Sequence, residues 1–425
     1  MKIKRMVASY MPNSLIYGKE YSETLNFLLE SEKFTKEEIK KWQLNKLNEI
    51  LKYSNENILY YKELFKENNI ILPLKNLEEI KKIPFLTKKI IRKNYTKLIN
   101  SKIKGKEYNT GGSTGNPLKL FKSRVNSKKE QAFLDYYMKK LGLKTFRTKK
   151  AIIRGDIPKK EKIYEKVGNE LILSSYLLSE KTLNDYIRIL EKFNPEIIHV
   201  YPSSIYSLAK LIEKNKIKLK IPNLKLIFSS SETFNIRQKE LVERIFRCRV
   251  FDLYGNTENS VHATNLYPEK SYKFNDFYSY VEIDNNEIIS TSFNDLGMPL
   301  IRYKTEDEIE YIDKENFIIK GRTQDYIYGR NTEKYPVVGI IFGQHFSAFK
   351  SMGNFQILQN EYGKIDIIIE GEKNLTLDNE KEIIRILKNV SNNNLEVEIK
   401  YVKNIERTQR GKYKFLIQNI GKEEK

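Results

Sequence analysis

The densest concentration of chemistry-bearing residues runs from Tyr108 to Ser123, YNTGGSTGNPLKLFKS. Gly111, Gly112 and Gly115 stand there among the hydroxyls of Thr110, Ser113 and Thr114. Glycine lets a backbone amide turn toward a ligand with no Cβ in the way. Successive amides with neighbouring hydroxyls form a concave nest for an anion, and Lys119 follows closely enough to add positive charge. The stretch is not the P-loop of the common NTPases, because G-x-x-x-x-G-K-[ST] fails at every register. On composition alone it reads equally well as a flexible surface turn. Four later stretches hold further polar residues of unusual type: SSSET at 229–233, YGNTE at 254–258, IRYKTED at 301–307 and RTQRGKYK at 407–414.

The elements that must position these residues follow from hydrophobic period. Thr35 with Glu38 makes a capping box for a helix on whose face Ile39, Trp42, Leu47 and Ile50 recur. Pro84 and Thr87 open another short helix, and Asn126 to Leu141 is helical. Downstream, strands at 150–154, 171–174, 196–200, 224–229 and 249–253 alternate with helices at 183–193, 203–214 and 235–246. That alternation predicts a parallel sheet with helices on both faces. In such sheets a ligand binds beyond the carboxyl ends of the strands. His199-Val-Tyr201, Ser229 to Thr233 and Tyr254 to Glu258 fall at three such ends. From about 272 the pattern becomes short strands at 278–283, 287–291 and 309–312, with Asn285-Asn286 as a hairpin turn. An antiparallel or barrel-like β subdomain is expected there. Strands at 355–360, 364–370 and 396–402 around a helix at 378–391 form a compact α+β unit. The fold class is therefore α/β, with a large domain at 1–320 and a small C-terminal domain at 321–425.

A chain of 425 residues with 40% hydrophobic and 12% aromatic residues can fill more than one core. Its one cysteine, Cys248, excludes a disulfide framework and suits a reducing, cytoplasmic setting. No window holds 18 apolar residues, so no transmembrane segment is expected. The formal charge of +21 comes from lysines interspersed with acids along the whole length, not from one basic stripe. A solvated lysine-rich surface explains it better than a nucleic-acid face.

In their order, these stretches resemble the AMP-forming, adenylate-forming ligase superfamily. The nearest likeness is to the phenylacetate–CoA ligase family and its capsular-polysaccharide-biosynthesis branch. TGGSTGNPLK is similar to that family's phosphate loop, YGNTE to its Y-G-x-x-E motif and PLIRYKTED to P-L-I-R-Y-R-x-x-D. GRTQD at 321–325 resembles the hinge motif, and Arg410-Gly411-Lys412 the terminal catalytic-lysine motif. FLTKKIIRKNY and HVYPSSIYSLAKLI also match, so the likeness spans nearly the whole chain. Lys304 stands where the family pattern commonly has arginine, and Glu306 where it usually has glycine or arginine.

The resemblance implies an ATP-dependent enzyme that joins a carboxylic acid to AMP, expels pyrophosphate and passes the acyl group to an acceptor. Thr110, Gly111, Gly112, Ser113, Thr114, Gly115 and Lys119 would hold the β- and γ-phosphates. Glu258 would bind Mg2+, and Asp307 with Arg322 would take the ribose. Ser230, Ser231, Glu232 and Tyr254 would bound the adenine slot, beside Gly255, Asn256 and Thr257. Lys412 would reach the reacting carboxylate and α-phosphate from a mobile small domain. His199, Tyr201, Ser229 and His262 are candidates for the acyl pocket. The implied acceptor is an amine or hydroxyl, such as that of a nucleotide sugar or glycan precursor. The alternative is a thiol, with CoA as in acyl–CoA ligases. A non-catalytic nucleotide- or nucleic-acid-binding protein is the rival from another class, and the joint presence of Glu258, Asp307 and Lys412 weighs against it. A monomer or homodimer is expected.

Overall fold

The computed structural model describes residues 10–110, 118–144, 148–154, 162–175, 177–230, 232, 234, 236–265, 271–322, 326–336, 354–371, 375–406 and 415–420. The expected capping box is present: the Glu38 amide donates to Thr35 Oγ1 at 3.2 Å and the Thr35 amide to Glu38 Oε2 at 2.7 Å. It opens the helix Lys36–Asn57, which buries Leu47, Ile50 and Leu51. These side chains share one core with Tyr61, Ile80, Ile83 and Leu86, and with Leu300, Ile301 and Tyr303 far along the chain. Tyr61 fixes that junction by donating to Pro299 O at 2.8 Å and accepting from the Ile301 amide at 3.1 Å. The N-terminal helices are thus the floor on which the IRYKTED segment lies.

Strands β1 (Gly105–Asn109) and β2 (Lys119–Ser123) form an antiparallel hairpin around the glycine stretch. The helix Arg124–Lys140 follows at once. Next come β3 (Lys150–Arg154), β4 (Tyr164–Val167), β5 (Glu170–Ser174), β6 (Ile197–Val200), β7 (Leu226–Ser230), β8 (Val250–Gly255), β9 (His262–Thr264) and β10 (Lys273–Phe274). They make one sheet in the order β10-β9-β8-β7-β6-β3-β5-β4. Its centre from β8 to β5 is parallel, as the alternation predicts, and β4, β9 and β10 run antiparallel at the two edges. One face packs Val200, Ile227 and Val250 against the helices Leu183–Phe193, Pro202–Lys214 and Ile236–Phe246. The other sets Phe228, Phe251 and Leu253 against Phe133 and Tyr137 of Arg124–Lys140.

A four-stranded antiparallel sheet follows, in the order β11 (Ser279–Asp284), β12 (Glu287–Ser292), β13 (Tyr303–Tyr311), β14 (Phe317–Arg322). The Asn285-Asn286 turn is formed, both residues having positive φ. Strand β13 starts six residues earlier than the 309–312 strand read from the sequence. Its inward positions before Ile309 are Tyr303, Thr305 and Asp307, which bury polar atoms instead of an apolar stripe.

The C-terminal strands are β15 (Tyr326–Tyr328), β16 (Lys334–Pro336), β17 (Phe355–Glu361), β18 (Lys364–Glu370), β19 (Glu396–Val402) and β20 (Leu416–Gln418). The last four form a sheet in the order β19-β18-β17-β20. Ile357, Ile365, Ile367 and Ile369 pack there against Ile383 and Leu387 of the helix Leu377–Val390. Among the described residues no helix is long and apolar enough to cross a membrane.

Candidate active site

The hairpin β1–β2 presents the glycine stretch on a closed neck. The Thr110 amide donates to Leu118 O at 2.9 Å, and the Leu118 amide returns a bond to Thr110 Oγ1 at 2.9 Å. Gly111, Gly112, Ser113, Thr114 and Gly115, beyond that neck, lie outside the described residues. Of the two lysines on β2, Lys119 is half exposed, pairs with Glu107 at 2.8 Å and covers the Tyr95 ring. Lys122 is the lysine that reaches the residue following YGNTE: its Nζ lies 2.8 Å from Asn259 Oδ1 and 5.1 Å from the Tyr108 ring centre. Burial holds its ammonium below the usual lysine range, against the opposing pull of Glu130, Glu258 and Asp295. Lys119 is the lysine expected from the sequence to serve the loop, and Lys122 is not among the candidates. The strand period carried the signal, because Leu118 and Leu120 are buried and Lys122 continues their alternation.

Tyr254 and Gly255 end β8, and a tight turn follows. The Asn259 amide donates to Asn256 O at 3.1 Å. The Asn256 side chain braces the turn, accepting from the Ser260 amide at 2.9 Å and donating to Ser260 Oγ at 2.7 Å. Glu258 rides on this turn. Strand β13 crosses beside it, and two hydrogen bonds join them in opposite senses. Tyr254 donates to Asp307 Oδ2 at 2.6 Å, and Tyr303 donates to Glu258 Oε1 at 2.8 Å. Each motif thus contributes one phenol and one carboxylate, four residues apart. Asp307 is buried, its amide bonded to Thr305 Oγ1 at 3.1 Å, and it stands opposite Arg322 of β14 in register. Burial and the neighbouring Glu258 push the Tyr303 phenol far above its usual range, so it stays a donor.

Arg302 anchors the start of β13. Its buried guanidinium donates to Glu282 at 3.0 and 2.8 Å and to Lys81 O at 2.9 Å, and lies 4.3 Å over the Phe85 ring. The Leu86 amide donates to Arg302 O at 3.0 Å and the Lys304 amide to Leu86 O at 2.9 Å. FLTKK and IRYKTED are therefore two sides of one structural unit. Lys304 and Glu306 make ion pairs, with Asp284 and Glu287, and with Lys88 respectively.

The remaining predicted residues divide. Ser230 closes β7, half-buried, and Ser231 lies outside the described residues. Glu232 Oε2 accepts from the Ser203 amide at 2.9 Å, at the start of the helix Pro202–Lys214. The four acyl-pocket candidates do not share a face. Ser229 is paired with Val200 and Asp252, on the side of the three helices. His199 stacks on Phe228 at 4.4 Å, on the side of Arg124–Lys140, and Tyr201 is the buried residue preceding Pro202–Lys214. His262 is buried on the same side as His199, stacked on Tyr278 at 3.7 Å with Nε2 3.4 Å from Glu130 Oε2. Gly255 stands opposite His262, and a Cβ there would come 3.1 Å from His262 Cδ2. Arg322 is placed by its strand register alone, and Lys412 lies outside the described residues.

One cluster had no sequence signal. Asp252, a lone acid in the apolar run RVFDLYG, accepts from Tyr272 and lies 3.5 Å from Lys239 Nζ. Burial pushes its carboxyl above the usual range. Tyr272 also pairs through its backbone with Phe317, which ties the large sheet to β14 behind Tyr254.

Glu258 is the carboxylate that would hold a magnesium ion. Among the described residues no group of three or more His, Cys, Asp or Glu side chains could hold a metal. A single hard carboxylate such as Glu258 is what Mg2+ uses when phosphate oxygens and water fill its other positions.

Residues 331–419 match the family model of the CapK C-terminal domain. The chain is 28% identical to Protein CapK of Staphylococcus aureus over 95% of its own length and 93% of that protein. In fold it is similar to 2-hydroxyisobutyryl-CoA ligase in the postadenylation state in complex with 2-HIB-AMP, at TM-score 0.67 and 16% identity over 89% of both chains. The same ligase with 2-HIB-AMP and CoA in the thioesterification state aligns at TM-score 0.57 and 17% identity over 91% of both. An anthranilate CoA ligase in complex with anthranoyl-AMP aligns at 0.52 and 13%, over 72% of this chain and 65% of that one. The capsule-branch resemblance is thus met by sequence, and the adenylate-forming ligase architecture by fold.

Proposed function

We propose that this CapK-like chain, built on the adenylate-forming ligase fold, is an ATP-dependent, AMP-forming carboxylate ligase. It activates a carboxylic acid as an acyl-adenylate and transfers the acyl group to an acceptor in capsular polysaccharide assembly. The observation that carries this reading is the pair of opposed tyrosine–carboxylate bonds between YGNTE and β13. They bring the carboxylates proposed for cation and ribose onto one rigid unit.

In this reading the substrate carboxylate attacks the α-phosphorus of ATP, the bond from that phosphorus to the β-bridging oxygen breaks, and pyrophosphate leaves. Negative charge crowds at one phosphorus, so positioning and electrostatics dominate over proton transfer. Residues 110–115 cradle the β- and γ-phosphates, Asp307 with Arg322 accepts the ribose, and Tyr254 with Ser230 and Ser231 bounds the adenine. Glu258 would hold Mg2+, which would supply charge neutralisation at the phosphates. Lys412 contributes positive charge at the reacting carboxylate from the C-terminal domain, proposed to begin near residue 321.

The capsule-branch resemblance of the sequence motifs is the ground for a sugar amine or hydroxyl as acceptor. The folds shared with CoA ligases support a thiol instead. Pyrophosphate release across a panel of carboxylic acids, with and without CoA, tests both. Acid-dependent release that CoA does not accelerate supports the first acceptor, and CoA-dependent turnover the second. No acid-dependent pyrophosphate from any member of the panel would contradict the ligase reading.

A further inference from the structure

Tyr303 is fully buried, and its position is set from both sides. On one side its backbone bridges Leu86 in parallel. On the other it stands opposite Ser290 of β12. Its ring shares a core with Phe293, Leu300 and Ile301. A buried phenol without a partner would forfeit its hydration for nothing, and the acceptor it meets is Glu258 Oε1 at 2.8 Å. The main chain that carries Glu258 is braced as well. Asn256 bonds Ser260, Ser290 Oγ donates to Ser260 Oγ at 2.8 Å, and Ser292 Oγ donates to Asn259 O at 3.0 Å. A glutamate on a surface turn would otherwise sample many rotamers.

We infer that Tyr303 is the positioning residue of the cation ligand. It engages Glu258 Oε1 and so fixes the direction of the carboxylate, leaving Oε2 as the oxygen that would meet a cation. The inference rests on the ligase reading above and adds a residue to it. Mg2+ demands near-octahedral geometry at short range, so a carboxylate held in one direction favours it over a freely turning one. Outer hydrogen-bond partners of metal ligands commonly change metal affinity by about 10–100-fold. Strand β13 places Tyr303 and Asp307 on the same face, four residues apart, so one strand directs both the cation arm and the ribose arm.

The test is Mn2+ binding, followed by electron paramagnetic resonance of the free ion in the presence of a non-hydrolysable ATP analogue. Wild type, Tyr303→Phe, Glu258→Asp and Glu258→Gln are compared, with metal-free AMP affinity and thermal midpoint as controls for folding. Tyr303→Phe removes one hydroxyl and should weaken Mn2+ binding about tenfold or more, while metal-free AMP affinity stays within twofold of wild type. Glu258→Asp keeps the charge but draws it away from Tyr303, and should show a similar loss. It keeps the inference testable should Tyr303→Phe fail to fold. If Glu258→Gln loses Mn2+ while Tyr303→Phe and Glu258→Asp bind as wild type, the inference is overturned and the ligase reading stands. If Glu258→Gln binds Mn2+ as wild type, Glu258 is not the ligand, and both the inference and that part of the reading fall.

Discussion

Tyr303 and Glu258 are 45 residues apart in the chain and joined by a 2.8 Å hydrogen bond from phenol to carboxylate. The bond fastens a turn at the end of a parallel strand to the first residue of an antiparallel one. Its mirror, Tyr254 to Asp307 at 2.6 Å, fastens the other end of the same pair of segments. Two bonds of opposite sense resist sliding of either segment along the other, which neither would do alone.

The first prediction concerns the acid of the turn. Glu258→Gln keeps the shape and removes the charge, so Mg2+-dependent formation of AMP and pyrophosphate should fall by roughly 10²-fold, the scale for losing one preorganised stabilising group. Chromatography of the nucleotide products measures it. ADP with inorganic phosphate as wild-type products would contradict the account.

The second concerns the opposite bond. Tyr254→Phe deletes the hydroxyl that Asp307 accepts from. A hydrogen bond to a charged group is worth about 1.5–3 kcal/mol, and only part of that reaches the ligand. AMP affinity by calorimetry should weaken by roughly 3–10-fold, and Asp307→Asn should weaken it further. Equal, unchanged affinities in both variants would remove Asp307 from the nucleotide site.

Much of this arrangement is legible in the sequence, and the failures share a cause. The parallel strands show because their residues are continuously apolar. The early part of β13 does not, because its inward residues are polar: the partners of Tyr303 and Asp307 lie 45 and 53 residues away, and Thr305 bonds Ile288 O, 17 residues away. Lys119 drew attention by lying next to the glycine stretch, yet it pairs with Glu107, while the alternation of β2 turns Lys122 toward Asn259. Asp252 gave no hint of its tyrosine and lysine partners, since nothing local distinguishes a paired buried acid from an exposed one. The carboxylate of Glu232 serves a helix start, which residue type alone does not foretell.

Arg302 supplies a stability prediction. Its planar fork meets Glu282 with two bonds, reaches a backbone carbonyl and covers Phe85. Lysine cannot reproduce that geometry. Arg302→Ala leaves Glu282 buried and unpaired, and should cost about 3–5 kcal/mol. Arg302→Lys should recover less than half of it. Urea unfolding measures both, and a lysine variant as stable as wild type would refute the fork argument.

Asp135 supplies a pH prediction. Burial raises its carboxyl above the usual range, although Asn13, Gln131 and Tyr21 all donate to it. An acid whose folded value lies above its unfolded one binds more protons folded. Its ionisation therefore removes stability as pH rises above about 4. Asn cannot ionise, so the difference in thermal midpoint between wild type and Asp135→Asn should narrow from pH 4 to pH 7. A difference that widens over that interval would reverse the sign.

The central claim is that the chain forms an acyl-adenylate with Lys412 stabilising the charge that develops. Single-turnover acyl-adenylate formation, measured beside ATP affinity in wild type, Lys412→Ala and Lys414→Ala, tests it most directly. Lys414, the next lysine along the chain, is the control for charge alone. The account predicts that Lys412→Ala slows adenylation by roughly 10²–10³-fold with ATP binding retained, and that Lys414→Ala does little. A Lys412→Ala protein that adenylates at the wild-type rate, or a Lys414→Ala protein that is the inactive one, would contradict it.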